Sequence, residues 1–227
     1  MGVAENLARV RQRIEAVCDR ARRDPGSVRL VAVSKTQPVE VVLEAFAAGQ
    51  REFGENYAQD LRDKANALPE ANWHFIGALQ TNKAKLVVGR ASLVHTCDRP
   101  SLAHELNKRA ASMSLVQRVL VEVNVGREQQ KGGALPEDVE QLVRRIAELP
   151  SLACDGLMCI PPAADDPRPH FRALRDLRDR LCGARLGPLP ELSMGMSADF
   201  ETGIEEGATI VRVGTAIFGE RPTVERR

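Results

Sequence analysis

The sequence predicts one α/β domain over residues 1–227, a (β/α)8 barrel of the TIM type with an extra N-terminal helix. Short apolar runs alternate with longer amphipathic runs along the chain, and about eight of the short runs have the length of a strand. Consecutive β/α units build a parallel sheet covered by helices, and about eight units close it into a barrel. The 227 residues, 43% of them hydrophobic, suffice for one core of this size.

The first element is predicted to be a helix over residues 5–23. Apolar residues recur there at steps of three and four from Leu7 to Ala21, which is typical of one buried stripe, and an Asp-Pro-Gly turn at 24–26 ends it. The stripe either packs on the barrel or serves an interface with a second chain. A monomer is expected, because no second domain requires a partner.

Strands and helices then alternate to the end of the chain. The strands are predicted at 28–34, 51–54, 73–77, 92–96, 118–124, 153–159, 191–194 and 209–213. The helices between them are predicted at 39–48, 58–67, 82–88, 100–111, 136–148, 169–182 and 200–206. An open doubly wound sheet is the alternative fold. Against it, no Gly-x-Gly-x-x-Gly turn follows the first strand, so the usual phosphate-binding turn of such sheets is missing.

The charge and cysteine content argue against several classes of protein. With 32 basic and 31 acidic residues the formal net charge is +1, so no overall field attracts nucleic acid or anionic lipid. The first residues are charged throughout and lack the apolar run of a secretory signal, and no segment has the apolar length of a membrane span. Five scattered cysteines without a C-x-x-C pair predict a reduced, cytoplasmic protein.

The first predicted strand ends at Lys35, in the run LVAVSK. Strand ends of this kind lie at the mouth of a parallel barrel, where apolar neighbours surround the lysine stem. Partial burial disfavours an ammonium ion and leaves a neutral amine that can condense with an aldehyde. An exposed lysine at a strand end is the alternative, which this segment alone does not exclude.

Two loops near the C-terminus predict a phosphate site at the same mouth. The segment 193–197 (SMGMS) follows the seventh strand, and 212–215 (RVGT) follows the eighth. In such barrels these two loops, with a short helix N-terminus, form the usual phosphate site. Small residues let backbone N–H groups approach an anion, and Ser197 and Thr215 add hydroxyl donors. Ser197 is alternatively the N-cap of the next helix, whereas Arg212 supplies a fixed positive charge.

Two further polar residues are candidate ligand contacts. Asn56 follows the second strand and is placed to donate a hydrogen bond to a ligand oxygen at the mouth. His74 lies within the third strand and is expected to project into the barrel. The sequence leaves its role open between a ligand contact, a catalytic base and a hydrogen-bonded histidine of the core.

Six ordered motifs carry a resemblance that extends over nearly the whole chain. They are AVSKT at 32–36, FGENY at 53–57, HFIGALQTNK at 74–83, GLM at 156–158, SMGMS at 193–197 and VRVGTAIFG at 211–219. With these motifs the chain closely resembles the pyridoxal phosphate homeostasis protein family. The resemblance implies an alanine racemase-like barrel without the C-terminal β-domain of that enzyme. It also implies pyridoxal 5'-phosphate as the cofactor, held by Lys35 as a covalent aldimine.

The resemblance places further residues around that cofactor. It implies that Arg212 lies near the ring nitrogen or the phosphate, and Asn56 and His74 are taken as additional cofactor contacts. The positions implied to surround the phosphate are Ser193, Ser197, Gly214 and Thr215. The segment 127–133 resembles the Lys-Gly loop of the family but varies before its lysine, so Lys131 receives no role.

The implied function is cofactor binding in intracellular vitamin B6 homeostasis, without robust catalysis. The partners are then the small-molecule cofactor and, as candidate recipients, apoenzymes that depend on it. The alternative is an amino-acid racemase or decarboxylase; a barrel aldolase or hydrolase using Lys35 is a third hypothesis. Racemisation requires a second acid-base group, and the sole tyrosine, Tyr57, has no evident partner to activate it. An arginine beside the ring nitrogen would also weaken the cofactor as an electron sink.

Overall fold

The computed structural model describes residues 2–219 and contains a closed barrel of eight parallel strands. Each strand pairs with the next one in sequence, and β8 pairs with β1 to close the barrel. The strands are β1 (Arg29–Val33), β2 (Glu52–Glu55), β3 (Asn72–Phe75), β4 (Ala91–Cys97), β5 (Gln117–Val123), β6 (Leu152–Cys159), β7 (Glu191–Ser193) and β8 (Ile210–Val213). The predicted fold class is confirmed. The predicted domain also includes Met1 and residues 220–227, which lie outside the described residues.

Helices follow the strands and form the outer layer. They are α1 (Val3–Arg20), α2 (Val39–Ala47), α3 (Ala58–Ala67), α4 (Ala84–Val87), α5 (Pro100–Ser112), α6 (Val139–Ala147), α7 (Pro167–Gly183), α8 (Phe200–Glu205) and α9 (Thr215–Phe218). The helix predicted at 82–88 is divided, because a 3-10 turn over Thr81–Lys83 precedes α4. Helix α9 has no counterpart among the predicted helices, since four residues are too few for a periodic signal.

The hydrophobic core has two parts, separated by the sheet. The larger part lies between the strands and the helices. The smaller part fills the barrel interior with five buried side chains, Val31, Leu93, Leu120, Met158 and Ile210. Because apolar residues fill both faces of the strands, the polar groups inside the barrel stand out as exceptions.

Helix α1 covers the outside of its own barrel. Its stripe, including Leu7, Val10, Ile14 and Val17, is buried against α2, α8 and α9. The Asn6 side chain donates to the Ile217 carbonyl of α9 at 3.0 Å. The stripe is therefore occupied within the chain, rather than by a second chain, and α1 helps to hold α9 beside the barrel mouth.

Candidate functional site

A cavity of about 290 Å3 opens at the carboxyl ends of the strands. Six of the predicted site residues line it: Lys35, Asn56, Ser197, Arg212, Gly214 and Thr215. They come from the segments that follow β1, β2 and β7 and from β8 with its loop. The two C-terminal loops and the lysine therefore share one rim of the barrel, as the sequence predicted.

The backbone on both sides of Lys35 is constrained. Before it, the Ser34 N–H donates to the Gly54 carbonyl at 3.0 Å. The Gln37 N–H donates to the Ser34 carbonyl at 3.0 Å and so closes a turn that contains Lys35. After it, Thr36 has φ of +65°, a left-handed conformation that is costly for a β-branched residue. Lys35 itself is half-buried and lines the cavity. The turn thus fixes where the amine enters the cavity.

A compact ionic cluster lies beneath that turn and is called the Lys64 cluster here; it consists of Ser34, Glu55 and Lys64. The Lys64 Nζ donates to Glu55 Oε1 at 2.6 Å and to the Ser34 carbonyl at 2.7 Å. The Ser34 hydroxyl donates to the same carboxylate oxygen at 2.7 Å. Burial raises the pKa of Glu55, and the nearby Lys64 opposes that rise. These contacts hold the backbone of Ser34, the residue before Lys35, in place.

Asn56 presents an unsatisfied acceptor in the cavity wall. Its Oδ1 is buried and has no hydrogen-bond partner among the described residues. A buried polar atom without a partner costs about 1–3 kcal/mol. A donor on a bound molecule would remove that cost, so Asn56 Oδ1 is a candidate ligand contact.

The opposite wall is built by the loops after β7 and β8. Ser197 Oγ accepts hydrogen bonds from the backbone N–H of Gly214 at 3.2 Å and of Ala216 at 3.5 Å. The alternative that Ser197 caps α8 is wrong, because Asp199 occupies that N-cap position. Ser197 instead caps α9 from a neighbouring loop. The serine oxygen and the N–H groups of the α9 start therefore lie together at the cavity edge.

Two glycines let these loops approach their neighbours closely. Gly195 has φ of +95°, and a Cβ there would lie 2.8 Å from the Phe200 Cα. A Cβ on Gly214 would lie 3.3 Å from the Val33 carbonyl oxygen of β1. A side chain at Gly195 would push its loop away from α8, and one at Gly214 would push its loop away from β1, so the glycines keep the wall in place.

Arg212 is a buried cation in the cavity wall. Its residue exposure is 4%, and its guanidinium donates to Ser193 Oγ and, at 2.9 Å, to the Cys159 carbonyl. Burial lowers the pKa of Arg212. Among residues 2–219 no carboxylate forms an ion pair with it, so neutral oxygens hold this charge next to the cavity.

His74 and Ser193, both predicted as cofactor contacts, are not among the residues that line the cavity. Both are fully buried inside the barrel. His74 Nε2 lies 2.6 Å from Glu52 Oε2, and its Nδ1 lies 2.8 Å from His95 Nε2. Ser193 Oγ contacts His95 Nδ1 at 2.9 Å. His74 is thus the hydrogen-bonded core histidine that the sequence left open, and Ser193 reaches the cavity only through Arg212.

Near this wall, Glu122 at the end of β5 has an unusual acidity. Burial, and secondly the negative charge of Asp98, raise the pKa of Glu122 to about 7, against the opposing pull of Arg212. Glu122 therefore gains or loses a proton near neutral pH. No motif in the sequence indicated this.

Several cavity residues were not predicted from the sequence. They are Val33, Gln37, Ile76, Ile160, Met196, Ala198, Phe218 and Gly219. Most are apolar and carry no chemical signature, although Val33, Ile76, Met196, Phe218 and Gly219 fall within the motifs quoted above. Among the described residues no group of three or more His, Cys, Asp or Glu could hold a metal ion. No helix within residues 2–219 is long and apolar enough to cross a membrane.

Comparison with known proteins identifies the family. Residues 6–222 match the family model described as alanine racemase, N-terminal domain. The pyridoxal phosphate homeostasis protein of Aquifex aeolicus (strain VF5) is 49% identical over 226 residues, covering 97% of this chain and 99% of that protein. The protein of the same name from Pseudomonas aeruginosa is 43% identical, with 96% of each chain covered.

Solved structures agree with the fold. PipY of Synechococcus elongatus PCC7942, solved with PLP bound, is 33% identical with a TM-score of 0.83, covering 96% of this chain and all of that chain. Alanine racemase from Corynebacterium glutamicum is 16% identical with a TM-score of 0.74; the match covers 99% of this chain and 62% of that enzyme. The second likeness supports the barrel alone. The chain belongs to the pyridoxal phosphate homeostasis protein family.

Proposed function

We propose that this protein binds pyridoxal 5'-phosphate in the cavity at the barrel mouth and acts in intracellular vitamin B6 homeostasis, without robust catalytic activity. The observation that carries the proposal is the placement of a half-buried lysine and a set of anion-binding groups on one cavity. The relatives named for pyridoxal phosphate homeostasis and the PLP-bound PipY structure support it. Apoenzymes that depend on the cofactor are the candidate recipients.

The residues present fit such a ligand. Lys35 would be the covalent anchor, through a C=N bond formed from its amine and the ligand aldehyde with loss of one water. The α9 start, with Ser197, Gly214 and Thr215, would hold the phosphate, because the Ser197 and Thr215 hydroxyls can donate to it there. The Gly214 and Ala216 N–H groups, which donate to Ser197 Oγ, lie beside them. Asn56 Oδ1, which lacks a partner among residues 2–219, would accept a hydrogen bond from the ligand.

Arg212 would face the ring nitrogen or a phosphate oxygen. When bound, the cofactor supplies an aldehyde and a ring that accepts electrons well only when its nitrogen is protonated. An arginine does not give up its proton at neutral pH, so it would keep a neighbouring ring nitrogen unprotonated. Tyr57, the chain's sole tyrosine, is 56% exposed and is not among the residues that line the cavity. Both features favour a binder over a racemase or decarboxylase.

Adduct mapping tests the proposed site. The purified protein is incubated with pyridoxal 5'-phosphate, followed by absorbance, reduced with borohydride and digested for mass spectrometry. We expect a yellow protein and a reduced adduct on Lys35. Lys35→Ala should lose the adduct, whereas Lys85→Ala, on an exposed lysine of α4, should retain it. A protein that stays colourless with added cofactor would contradict the proposal.

A second measurement separates binding from catalysis. The cofactor-loaded protein is incubated with a panel of L-amino acids while chirality and carbon dioxide release are followed. We expect no sustained turnover. Continuous racemisation or decarboxylation that disappears in Lys35→Ala would identify the protein as an enzyme instead.

A further inference from the structure

A continuous chain of hydrogen bonds crosses the barrel interior and ends at Arg212. It runs from Glu52 Oε2 to His74 Nε2 (2.6 Å), from His74 Nδ1 to His95 Nε2 (2.8 Å), and from His95 Nδ1 to Ser193 Oγ (2.9 Å). The last link joins Ser193 Oγ to Arg212 Nη1. The side chains of both histidines, the serine and the arginine are buried.

The two ends of the chain lie on opposite sides of the barrel. Arg212 lines the cavity at the carboxyl rim, near the end of β8. Glu52 begins β2 at the amino rim, where it lines a second cavity together with Arg29 and Arg51. The Glu52 side chain is 23% exposed. The chain therefore connects a partly hydrated carboxylate at the floor with a buried cation at the mouth.

The chemistry of the two ends fixes the direction of every link. A guanidinium is only a donor, so Ser193 Oγ accepts from Arg212; an ionised carboxylate is only an acceptor, so His74 Nε2 carries a proton toward Glu52. A neutral His74 must then accept at Nδ1, from an N–H on His95 Nε2. His95 Nδ1 in turn accepts from the Ser193 hydroxyl. Four protons fill the four links, one in each, and the two histidines and the serine have no donor left over.

Burial favours these protonation states. It lowers the pKa of His74 despite the opposing pull of Glu52, and it lowers the pKa of His95 well below the ordinary value. Burial acts to raise the pKa of Glu52, but the hydrogen bonds from His74 and Asn72 and the nearby positive charge together lower it. Two neutral histidines between an anion and a cation are thus the expected arrangement.

We propose that Glu52, His74, His95 and Ser193 form a positioning relay for Arg212, which orients the guanidinium through a neutral acceptor and leaves its charge available to the cavity. This inference rests on the proposed cofactor site, because the relay's effect is measured there. A carboxylate in direct contact would orient Arg212 equally well but would cancel much of its field. The relay instead ends in a carboxylate at the opposite rim. The acids whose charge acts on Arg212, Glu122 and Asp199, form no ion pair with it among the described residues.

The histidine tautomers test the relay without any cofactor. Long-range 1H–15N NMR of the cofactor-free protein should show His74 and His95 as neutral rings protonated at Nε2. The exposed His104 serves as an internal reference. Ser193→Ala removes the donor to His95 Nδ1, so the single tautomer of His95 should give way to a mixture. An imidazolium or an Nδ1-protonated ring at either position in the wild type would overturn the relay.

The effect on the cavity is tested with pyridoxal 5'-phosphate itself. Ser193→Ala should weaken its binding roughly tenfold, because a hydrogen bond to a charged group is lost. It should also shift the absorbance maximum of the bound form. Thr96→Val is the matched control: it removes a buried hydroxyl, bonded to the Gly77 carbonyl, from the strand that carries His95. This control should change the affinity by less than about twofold.

Glu52→Gln gives a second test at the far end of the relay. The amide keeps the size of the side chain but removes the charge. The affinity for pyridoxal 5'-phosphate at the opposite rim should therefore fall by about two- to fivefold, with a smaller absorbance shift than in Ser193→Ala. Glu201→Gln, which breaks a surface ion pair with Arg13, is its control. If the wild type binds cofactor while Ser193→Ala and Glu52→Gln leave affinity and absorbance unchanged, the relay is overturned. If the wild type does not bind pyridoxal 5'-phosphate, the proposed function fails, and the relay is then tested by the histidine tautomers alone.

Discussion

Lys64 and Arg212 are both buried cations beneath the same barrel mouth, yet they are held by different acceptors. Lys64 forms a contact ion pair with Glu55 at 2.6 Å, and the charges cancel within the Lys64 cluster. Arg212 donates to a serine hydroxyl and a backbone carbonyl, and the carboxylate that completes its relay lies at the opposite rim. The first arrangement supports the backbone before Lys35, whereas the second keeps a positive charge facing the cavity.

The difference teaches how one barrel separates structural from functional charge. A contact ion pair can fix a turn but offers little field to a ligand, because its two charges offset each other. A cation on neutral acceptors offers its field, and burial then makes it costly. Substitutions in the Lys64 cluster should therefore act mainly on stability, and those around Arg212 mainly on binding.

The largest expected effect is a decrease in the free energy of unfolding in Lys64→Met. This change leaves Glu55 buried without its cation, and breaking a buried ion pair costs about 3–5 kcal/mol. Urea unfolding of the cofactor-free protein measures it. Lys85→Met, on an exposed position of α4, is the control and should stay within about 0.5 kcal/mol of the wild type.

A second-site change sharpens this prediction. Glu55→Gln in the Lys64→Met background removes the uncompensated charge, so part of the lost stability should return. If Lys64→Met unfolds at the same urea concentration as the wild type, the ion pair does not support the turn, and the contrast with Arg212 disappears.

The next effect concerns Glu122, a half-buried carboxyl whose strongest electrostatic neighbour is the acid Asp98. Its pKa is raised to about 7, so the folded protein holds a proton that the unfolded chain has already released. The resulting stabilisation is complete below the ordinary value of 4.5 and is lost as the pH rises to about 7. Glu122→Gln keeps a neutral side chain at every pH. The free energy of unfolding of Glu122→Gln, relative to that of the wild type, should therefore grow by up to about 1.4 kcal/mol per pH unit between pH 5 and 7.

Urea unfolding of both proteins without cofactor, at pH 5, 6, 7 and 8, measures this trend. Glu44→Gln, on the exposed face of α2, is the control and should run parallel to the wild type. A constant difference between Glu122→Gln and the wild type would mean that Glu122 is already ionised at pH 5. Glu122 would then add a negative charge near Arg212 to that of Asp199, which would weaken the comparison above.

Much of the fold and part of the site could be predicted from the sequence. All eight strands were predicted, most of them from short apolar runs, because a parallel barrel buries both faces of its strands. Lys35 and the two C-terminal loops were placed by their positions after β1, β7 and β8, which the barrel topology brings to one rim. Chain order alone decides such neighbours, so no side-chain detail was needed.

The relay could not be predicted, for a physical reason. Glu52, His74, His95 and Ser193 lie on four strands, and their contacts depend on strand register and barrel stagger rather than on spacing in the sequence. Alternation along β4 does place His95 on the same face as Leu93, which fills the barrel interior. That signal indicates a buried polar residue but not its partner.

The smallest expected effect distinguishes the shape of the cavity wall from its charge. Gly214→Ala adds a methyl group 3.3 Å from the Val33 carbonyl oxygen, so the loop after β8 must move outward by a few tenths of an ångström. The N–H groups at the start of α9 move with it, and binding of pyridoxal 5'-phosphate should weaken by about two- to fivefold. Gly183→Ala is the matched control, since a Cβ there meets no atom within 4 Å and α7 should gain stability. Absorbance titration of both variants measures the difference, and equal affinities would mean that charge at Arg212, rather than the placement of the α9 donors, governs this wall.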